Sequence, residues 1–182
     1  AEQELKRQYL TKGKYGIKVI STVTPLERNR VGISLSIEEG DNARIKSIRF
    51  VGNKAFSESQ LMGEMNLHTP NWATWWTKRD QFSREKLMGD LETIRSFYLD
   101  RGYLEFSIEA NQVSITPDKE DIEIVVTIKE GEQYRVADVG FSGNLLGREA
   151  ELRKAVQIKS GDVFNGSKLS ESTKRMQEEF GL

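Results

Sequence analysis

Cysteine is absent from the 182-residue sequence, and histidine occurs once, at His68. Without cysteine there is no disulfide framework and no thiolate to act as a metal ligand or nucleophile. One histidine is too few for us to propose a Cys–His or Ser–His–Asp constellation. The sequence also shows no metal-ligand spacing and no glycine-rich phosphate loop. We therefore expect that the chain is not an enzyme and uses no metal and no cofactor.

Long apolar runs and an excess of one charge are also absent. No apolar run approaches the roughly 20 residues that a membrane-spanning helix needs, and the N-terminus lacks a signal-peptide core. Lysine and arginine number 27 and aspartate and glutamate 28, and the two signs are interspersed. This balance argues against a nucleic-acid-binding protein or a polybasic membrane-surface protein. The chain begins with a helical pattern, in which Leu5 and Tyr9 lie on one face. Because a natural protein seldom starts inside a helix, we expect this chain to be a piece of a longer protein.

The sequence contains an internal repeat with a period of about ninety residues. Its matched segments are LKRQYLTKGKYGIKV (from Leu5) with IRSFYLDRGYLEFSI (from Ile94), TPLERNRVGISLSIEEG (from Thr24) with TPDKEDIEIVVTIKEG (from Thr116), and ARIKSIRFVGN (from Ala43) with YRVADVGFSGN (from Tyr134). A helix start also repeats, since Phe82-Ser83 and Leu87 recur as Phe164-Asn165 and Leu169. A period this long predicts small globular domains in tandem.

The middle copy is complete and predicts the element order βααββ. Ser57 with Gln60 forms a capping-box pattern that opens a short helix. A second helix begins at Ser83, carries an apolar stripe through Tyr98 and ends at Gly102, where a left-handed residue is favoured. The predicted strands cover residues 45–51, 104–116 and 122–129, with a turn at 117–121 between the last two.

This order predicts an α+β fold, in which each unit has a three-stranded mixed sheet covered on one face by two antiparallel helices. We expect residues 1–42 to be the helix and hairpin that end one unit, 43–131 a complete unit, and 132–182 the strand and two helices that begin the next. Short linkers predict a semi-rigid arm. The two incomplete ends are expected either to be disordered or to complement each other between molecules.

The ordered phrases VGNKAF, GDLETIRSFYLDRGY, VSITPDK and the hairpin ending IKEG carry a family resemblance. Together with the order βααββ, they resemble the POTRA repeats of BamA-type outer-membrane β-barrel assembly factors. The resemblance covers essentially the whole chain, and implies the end of a second repeat, all of a third and the start of a fourth.

The resemblance implies a periplasmic scaffold arm whose parent chain is anchored by a C-terminal barrel in the outer membrane. Its expected partners are unfolded outer-membrane β-barrel proteins and the accessory lipoproteins of the assembly complex, with no nucleic acid. Related families carry POTRA repeats too, so a two-partner secretion transporter, or another outer-membrane transporter, is the alternative.

A difference between the two copies points to a binding strand. The step from Gly102 to Pro117 is three residues longer than that from Gly13 to Pro25. Within the longer step, the apolar residues change from even-numbered to odd-numbered positions, which would lie on opposite faces of a regular strand. We therefore predict a β-bulge near Asn111 and Gln112, in a strand at a free edge. Partner strands would add to this edge by β-augmentation. The candidate residues are Asn111, Gln112, Val113, Ser114, Ile115 and Thr116. Alternatively, the bulge only re-aims the strand within the fold.

A second candidate surface lies near the first helix of the middle unit. We expect Met62, Leu67 and His68 to form an exposed face that contacts an accessory lipoprotein together with Val113 and Ile115. Leu67 is also compatible with a core position.

Three tryptophans, Trp72, Trp75 and Trp76, fall in a segment that the following copy lacks. Tryptophan is enriched at interaction hot spots, but we favour a cluster that folds back to cover the helices.

Overall fold

The computed structural model describes residues 2–71, 80–143 and 147–180. Five helices and five strands lie in these ranges: α1 (Glu2–Thr11), β1 (Lys18–Leu26), β2 (Arg30–Glu38), β3 (Arg44–Val51), α2 (Glu58–Glu64), α3 (Arg84–Leu99), β4 (Ser107–Ile115), β5 (Asp121–Lys129), α4 (Glu149–Ala155) and α5 (Gly166–Phe180). None of the helices within these ranges is long and apolar enough to cross a bilayer.

The middle unit is the α+β fold that the sequence predicts. Its sheet has the order β3-β5-β4, in which β3 runs parallel and β4 antiparallel to the central strand β5. One face of β5 is buried under α2 and α3, and the opposite face is partly solvated. Burying each large apolar side chain contributes about 1.5–3 kcal/mol. The core includes Ile45, Ile48, Leu61, Met65, Leu87, Leu91, Ile94, Tyr98, Ile122, Ile124, Val126 and Ile128.

The helix ends follow their sequence signals. Ser57 and Gln60 form the predicted capping box, in which each side chain accepts the backbone N–H of the other residue. Ser83 caps α3 by accepting the N–H of Lys86. The helix ends at Leu99, and Gly102 follows with φ +89°.

The position predicted for the β-bulge is wrong by a few residues. The register of β4 against β5 shifts between Ile108 and Ala110, so Glu109 is the extra residue. This shift puts Ile108 and Asn111 on the same face of the sheet, opposite Ile128 and Val126. The sequence placed the bulge after Ala110 because Ala110 and Ile108 are two residues apart, as neighbours on one face of a regular strand are. In the structure, Ala110 lies on the other face from Ile108.

The first unit contributes a hairpin whose apolar face is open. β1 and β2 pair along their whole length, and Val23 lies opposite Ile33. The face that is equivalent to the buried face of β5 is solvent-exposed in the hairpin, except at Val19, which is buried. Its exposed apolar members are Val23, Val31, Ile33, Leu35 and Ile37.

Residues 134–143 do not form the strand that the repeat predicts. They make one isolated bridge, between Arg135 and Val163. In the middle unit the equivalent strand, β3, pairs only with β5, which comes later in the sequence. A strand needs a partner for its backbone N–H and C=O groups, and among the described residues after 134 no strand takes the place that β5 has in the middle unit. The two helices predicted for this segment are present as α4 and α5.

The two joints between units are built alike. Ala43 donates its N–H to the carbonyl of Gly13 at 3.0 Å, and Phe82 donates to the carbonyl of Ala43 at 3.1 Å. The second joint repeats both bonds, from Tyr134 to Gly102 at 2.8 Å and from Phe164 to Tyr134 at 3.0 Å. Gly13 and Gly102 have φ of +82° and +89°, which favours glycine at both places.

Candidate protein-binding site

Strand β4 lies at an edge of the three-stranded sheet, and half of its backbone groups face away from β5. Thr116 donates its N–H to the carbonyl of Asp121, which fixes the alternation of the antiparallel ladder. By that alternation, the N–H and C=O groups of Asn111, Val113 and Ile115 point outward. Among the residues that the structure describes, none is hydrogen-bonded to these three outward amides. Such a row of unpaired groups is a template for one more strand.

The side chains of the same three residues lie on the helix-covered face of the sheet. Val113 is paired with Ile124 and Ile115 with Ile122, both of which are fully buried. Val113 and Ile115 are nevertheless 37% and 39% exposed. The helices therefore cover β5 but leave this half of β4 open.

The turn after β4 is fixed by a local hydrogen-bond pair. The hydroxyl of Thr116 donates to a carboxylate oxygen of Asp118, which also accepts the N–H of Glu120. The bond from Thr116 is the main reason that the pKa of Asp118 lies below its ordinary value. The turn thus has a defined shape where β4 ends.

An open groove of about 450 Å³ lies beside the exposed half of β4. One wall is β4 itself, through Asn111, Val113 and Ile115, and a second is the first turn of α3, through Arg84 and Leu87. The remaining wall comes from the preceding unit and the joint: Arg7, Leu10, Thr11, Tyr15 and Phe82. A strand added to β4 would therefore place alternate side chains in a groove shared by two units.

Positive charge dominates the groove. Arg7 and Arg84 line it, and none of the described residues that line it carries a carboxylate. Burial raises the pKa of the Tyr15 phenol, while the nearby charge of Arg84 lowers it by a smaller amount. The ring of Tyr15 packs at a centroid distance of 6.3 Å from that of Phe82, across the joint.

Leu67 is fully buried, so the exposed position expected for it is wrong and the core position that the sequence left open is the one observed. The carboxylate of Asp90, itself fully buried, accepts the backbone N–H groups of Asn66 and Leu67 at 2.7 and 2.8 Å. These bonds pull the segment after α2 onto α3, which carries Leu67 into the core. Met62 is half-buried against the same core, and His68 is half-buried.

Trp72, Trp75 and Trp76 lie outside the described residues, so the two interpretations of this cluster stay open.

The sequence predicted that this strand lies at an edge of the sheet, but not the groove beside it. Arg7 belongs to α1 and Tyr15 to the turn that follows it, and both are far along the chain from Arg84, which begins α3. The repeat contained one sequence signal for the groove, because Arg84 stands where the next copy has Gly166. Within the described ranges there is no group of three or more histidine, cysteine, aspartate or glutamate side chains that could hold a metal ion.

Comparison with known proteins relates the chain to one family. The family model POTRA, described as surface antigen variable number repeat, matches residues 43–131 and 134–181. The outer membrane protein assembly factor BamA of Neisseria meningitidis is 34% identical over 97% of this chain, and that of Buchnera aphidicola is 28% identical over 91%. The chain spans 22% and 27% of the length of these two relatives.

A solved structure shows the same fold. The crystal structure of Haemophilus influenzae BamA POTRA3-5 superposes with a TM-score of 0.60 at 19% identity. The match covers 98% of this chain and 67% of that one. At this identity the likeness concerns the fold alone.

Proposed function

Because this chain belongs to the POTRA family, we propose that it is a scaffold arm of an outer-membrane protein assembly machine, and that it binds partner proteins by β-strand augmentation at β4. Membership and the BamA relatives assign it to the periplasmic part of an outer-membrane protein. The parent protein would carry a C-terminal barrel. The partners would be unfolded outer-membrane β-barrel proteins and accessory lipoproteins.

The unpaired outer edge of β4 is the observation that carries the proposal. Backbone hydrogen bonds do not depend on the partner's sequence, so one edge is suited to many different clients. The outward groups of Asn111, Val113 and Ile115 supply these bonds, and the groove beside them receives alternate side chains. Gln112, Ser114 and Thr116 complete the strand and its end.

The proposal includes no catalytic turnover. The two buried carboxylates of the described residues, Asp90 and Glu130, accept hydrogen bonds that hold parts of the fold together. Scaffolds of this kind need a defined shape more than a reactive centre. The relatives are named for assembly, which favours this role over transport in two-partner secretion.

The division into units at residues 1–42, 43–131 and 132–182 is part of the same proposal. The family matches to 43–131 and 134–181 support it. So do the two joints, because both repeat the same backbone bonds through Gly13 and Gly102. Identical joints would let successive units hold clients along one arm.

An NMR titration of the full chain tests the proposal. The ligand is a peptide that copies the terminal strand of an outer-membrane barrel protein. We expect amide shifts along residues 111–116, because the added strand pairs with these groups. Shifts confined to other surfaces, or none at high peptide concentration, would refute edge capture.

A pair of variants sharpens the test. Val113→Pro removes one outward N–H, a change that an edge strand tolerates when the N–H faces solvent. Val113→Thr keeps the N–H and a similar shape. We expect Val113→Pro to weaken peptide binding strongly and Val113→Thr to bind nearly as well as the wild type. Equal binding by both variants would show that the edge backbone is not the contact.

A further inference from the structure

The groove beside β4 exists because the first joint is more open than the second. In the second joint the backbone of Gly166 approaches Leu99 so closely that a Cβ would lie 2.8 Å from its side chain. Asp100 there accepts both the N–H and the hydroxyl of Ser167 at 2.7 Å, which closes the joint. In the first joint Thr11 occupies the position of Asp100.

Arg84 occupies the position of Gly166 in the first joint. A side chain of that size prevents the close helix approach seen at Gly166, and the space remains as the groove of about 450 Å³. The groove is thus lined by both units, and one of its charges comes from each.

The charges of the groove are available to a ligand. Among the described residues no carboxylate forms an ion pair with Arg84. Within the described part of the chain, Arg7 forms an ion pair only with Glu4, at 3.3 Å, and both side chains are well exposed. Apolar side chains, including Leu10, Leu87 and Val113, make up most of the remaining lining.

We propose that the groove selects extended protein segments that carry apolar side chains at alternate positions and an aspartate or glutamate that reaches Arg7 and Arg84. The inference rests on the edge capture proposed above and adds the chemistry of the preferred segment. The carboxylate complements the two arginines, while the apolar side chains cover Val113 and Ile115.

Matched peptides test the inference on the full chain. Each peptide is blocked at both termini and alternates valine or phenylalanine with threonine or serine. In the first pair, one peptide has glutamate and the other has glutamine at the first groove-facing position. In the second pair, the same difference lies at the last groove-facing position. We expect a glutamate peptide to bind about fivefold more tightly than its glutamine partner, in line with exposed ion pairs. The preference should fall at high salt, because the charges are screened.

Variants of the protein identify the side chains that bind the carboxylate of the peptide. The double variant Arg7→Gln/Arg84→Gln should bind both members of a pair equally. Lys86→Gln is the matched control, because it removes a positive charge from the same helix turn but does not line the groove. It should retain the preference for glutamate.

The outcomes separate the two proposals. Shifts along β4 with equal affinity for glutamate and glutamine would overturn the inference and leave edge capture standing. A preference that survives in the double variant would also overturn it. If no peptide shifts the amides of β4, both proposals fail.

Discussion

Tyr98 donates its hydroxyl hydrogen to Glu130 Oε1 at 2.8 Å in the core of the middle unit. The repeat places Tyr9 and Glu39 in the same relationship in the first unit, at 3.1 Å, where the pair is exposed. Glu130 also accepts two backbone N–H groups from the turn after β3. In the complete unit, this pair therefore ties α3, β5 and the β3 turn together.

The two tyrosines give a matched test of this tie. Tyr98→Phe leaves the buried carboxylate of Glu130 without one donor, so we expect the free energy of unfolding to fall by about 2 kcal/mol. Tyr9→Phe removes the exposed equivalent and should change it by less than about 0.5 kcal/mol. Urea denaturation measures both. Equal losses would contradict the role assigned to burial.

The same hydrogen bond predicts a dependence on alkaline pH. Burial raises the pKa of Tyr98, and the bond to Glu130 raises it further. The stability that the protonated phenol contributes is complete below the ordinary pKa of 10.0 and is lost as pH rises through the raised value.

We therefore expect the stability difference between the wild type and Tyr98→Phe to shrink by about 1.4 kcal/mol per pH unit above the ordinary pKa of tyrosine. Urea denaturation at a series of alkaline pH values measures this slope. A difference that does not change with pH would show that the phenol ionises alike in both states.

Asp90 is a second buried anchor with a natural comparison in the repeat. In the following unit Ser172 stands in its place and accepts the N–H of Gln157 at 2.9 Å. Asp90→Ala removes the acceptor of the buried N–H of Leu67 and of the half-buried N–H of Asn66, so we expect a loss of about 3 kcal/mol. Asp90→Ser should lose less, because a hydroxyl restores one acceptor. Urea denaturation measures both losses, and a loss for Asp90→Ser as large as that for Asp90→Ala would contradict the role of the acceptor.

Local signals in the sequence predicted the local structure. Ser57 with Gln60 fixed one helix start, Gly102 marked a helix end, and the alternation from Ile122 to Ile128 identified the buried central strand. These features depend on neighbours within a few residues, and the structure confirms them.

Features that depend on distant neighbours were left open, misplaced or not predicted. Leu67 is buried because Asp90, on another helix, holds its backbone. The bulge falls at Glu109 because the register is set by pairing with β5. The groove requires Arg7 and Arg84 to line one space across a joint, and no local sequence pattern encodes that arrangement.

The glycine of the first joint allows a backbone test. A Cβ at Gly13 would lie 2.2 Å from the carbonyl oxygen of Phe82, and φ is +82°. We expect Gly13→Ala to cost at least about 1–2 kcal/mol and to shift the amides of Ala43 and Phe82. Gly63→Ala is the control, since nothing lies within 4 Å of its Cβ position in α2. It should be neutral or stabilising by up to about 1 kcal/mol.

The open face of the β1–β2 hairpin predicts self-association. Val23 and Ile33 are 60% and 69% exposed on the face that a complete unit buries. If residues 1–42 of one molecule complement residues 132–182 of another, the average mass in sedimentation velocity should rise with concentration. Ile33→Lys should abolish this rise because it places a charge in the contact. Leu26→Lys is the control, because Leu26 is 52% exposed on the opposite face of the hairpin. A monomeric mass at every concentration would refute the exchange.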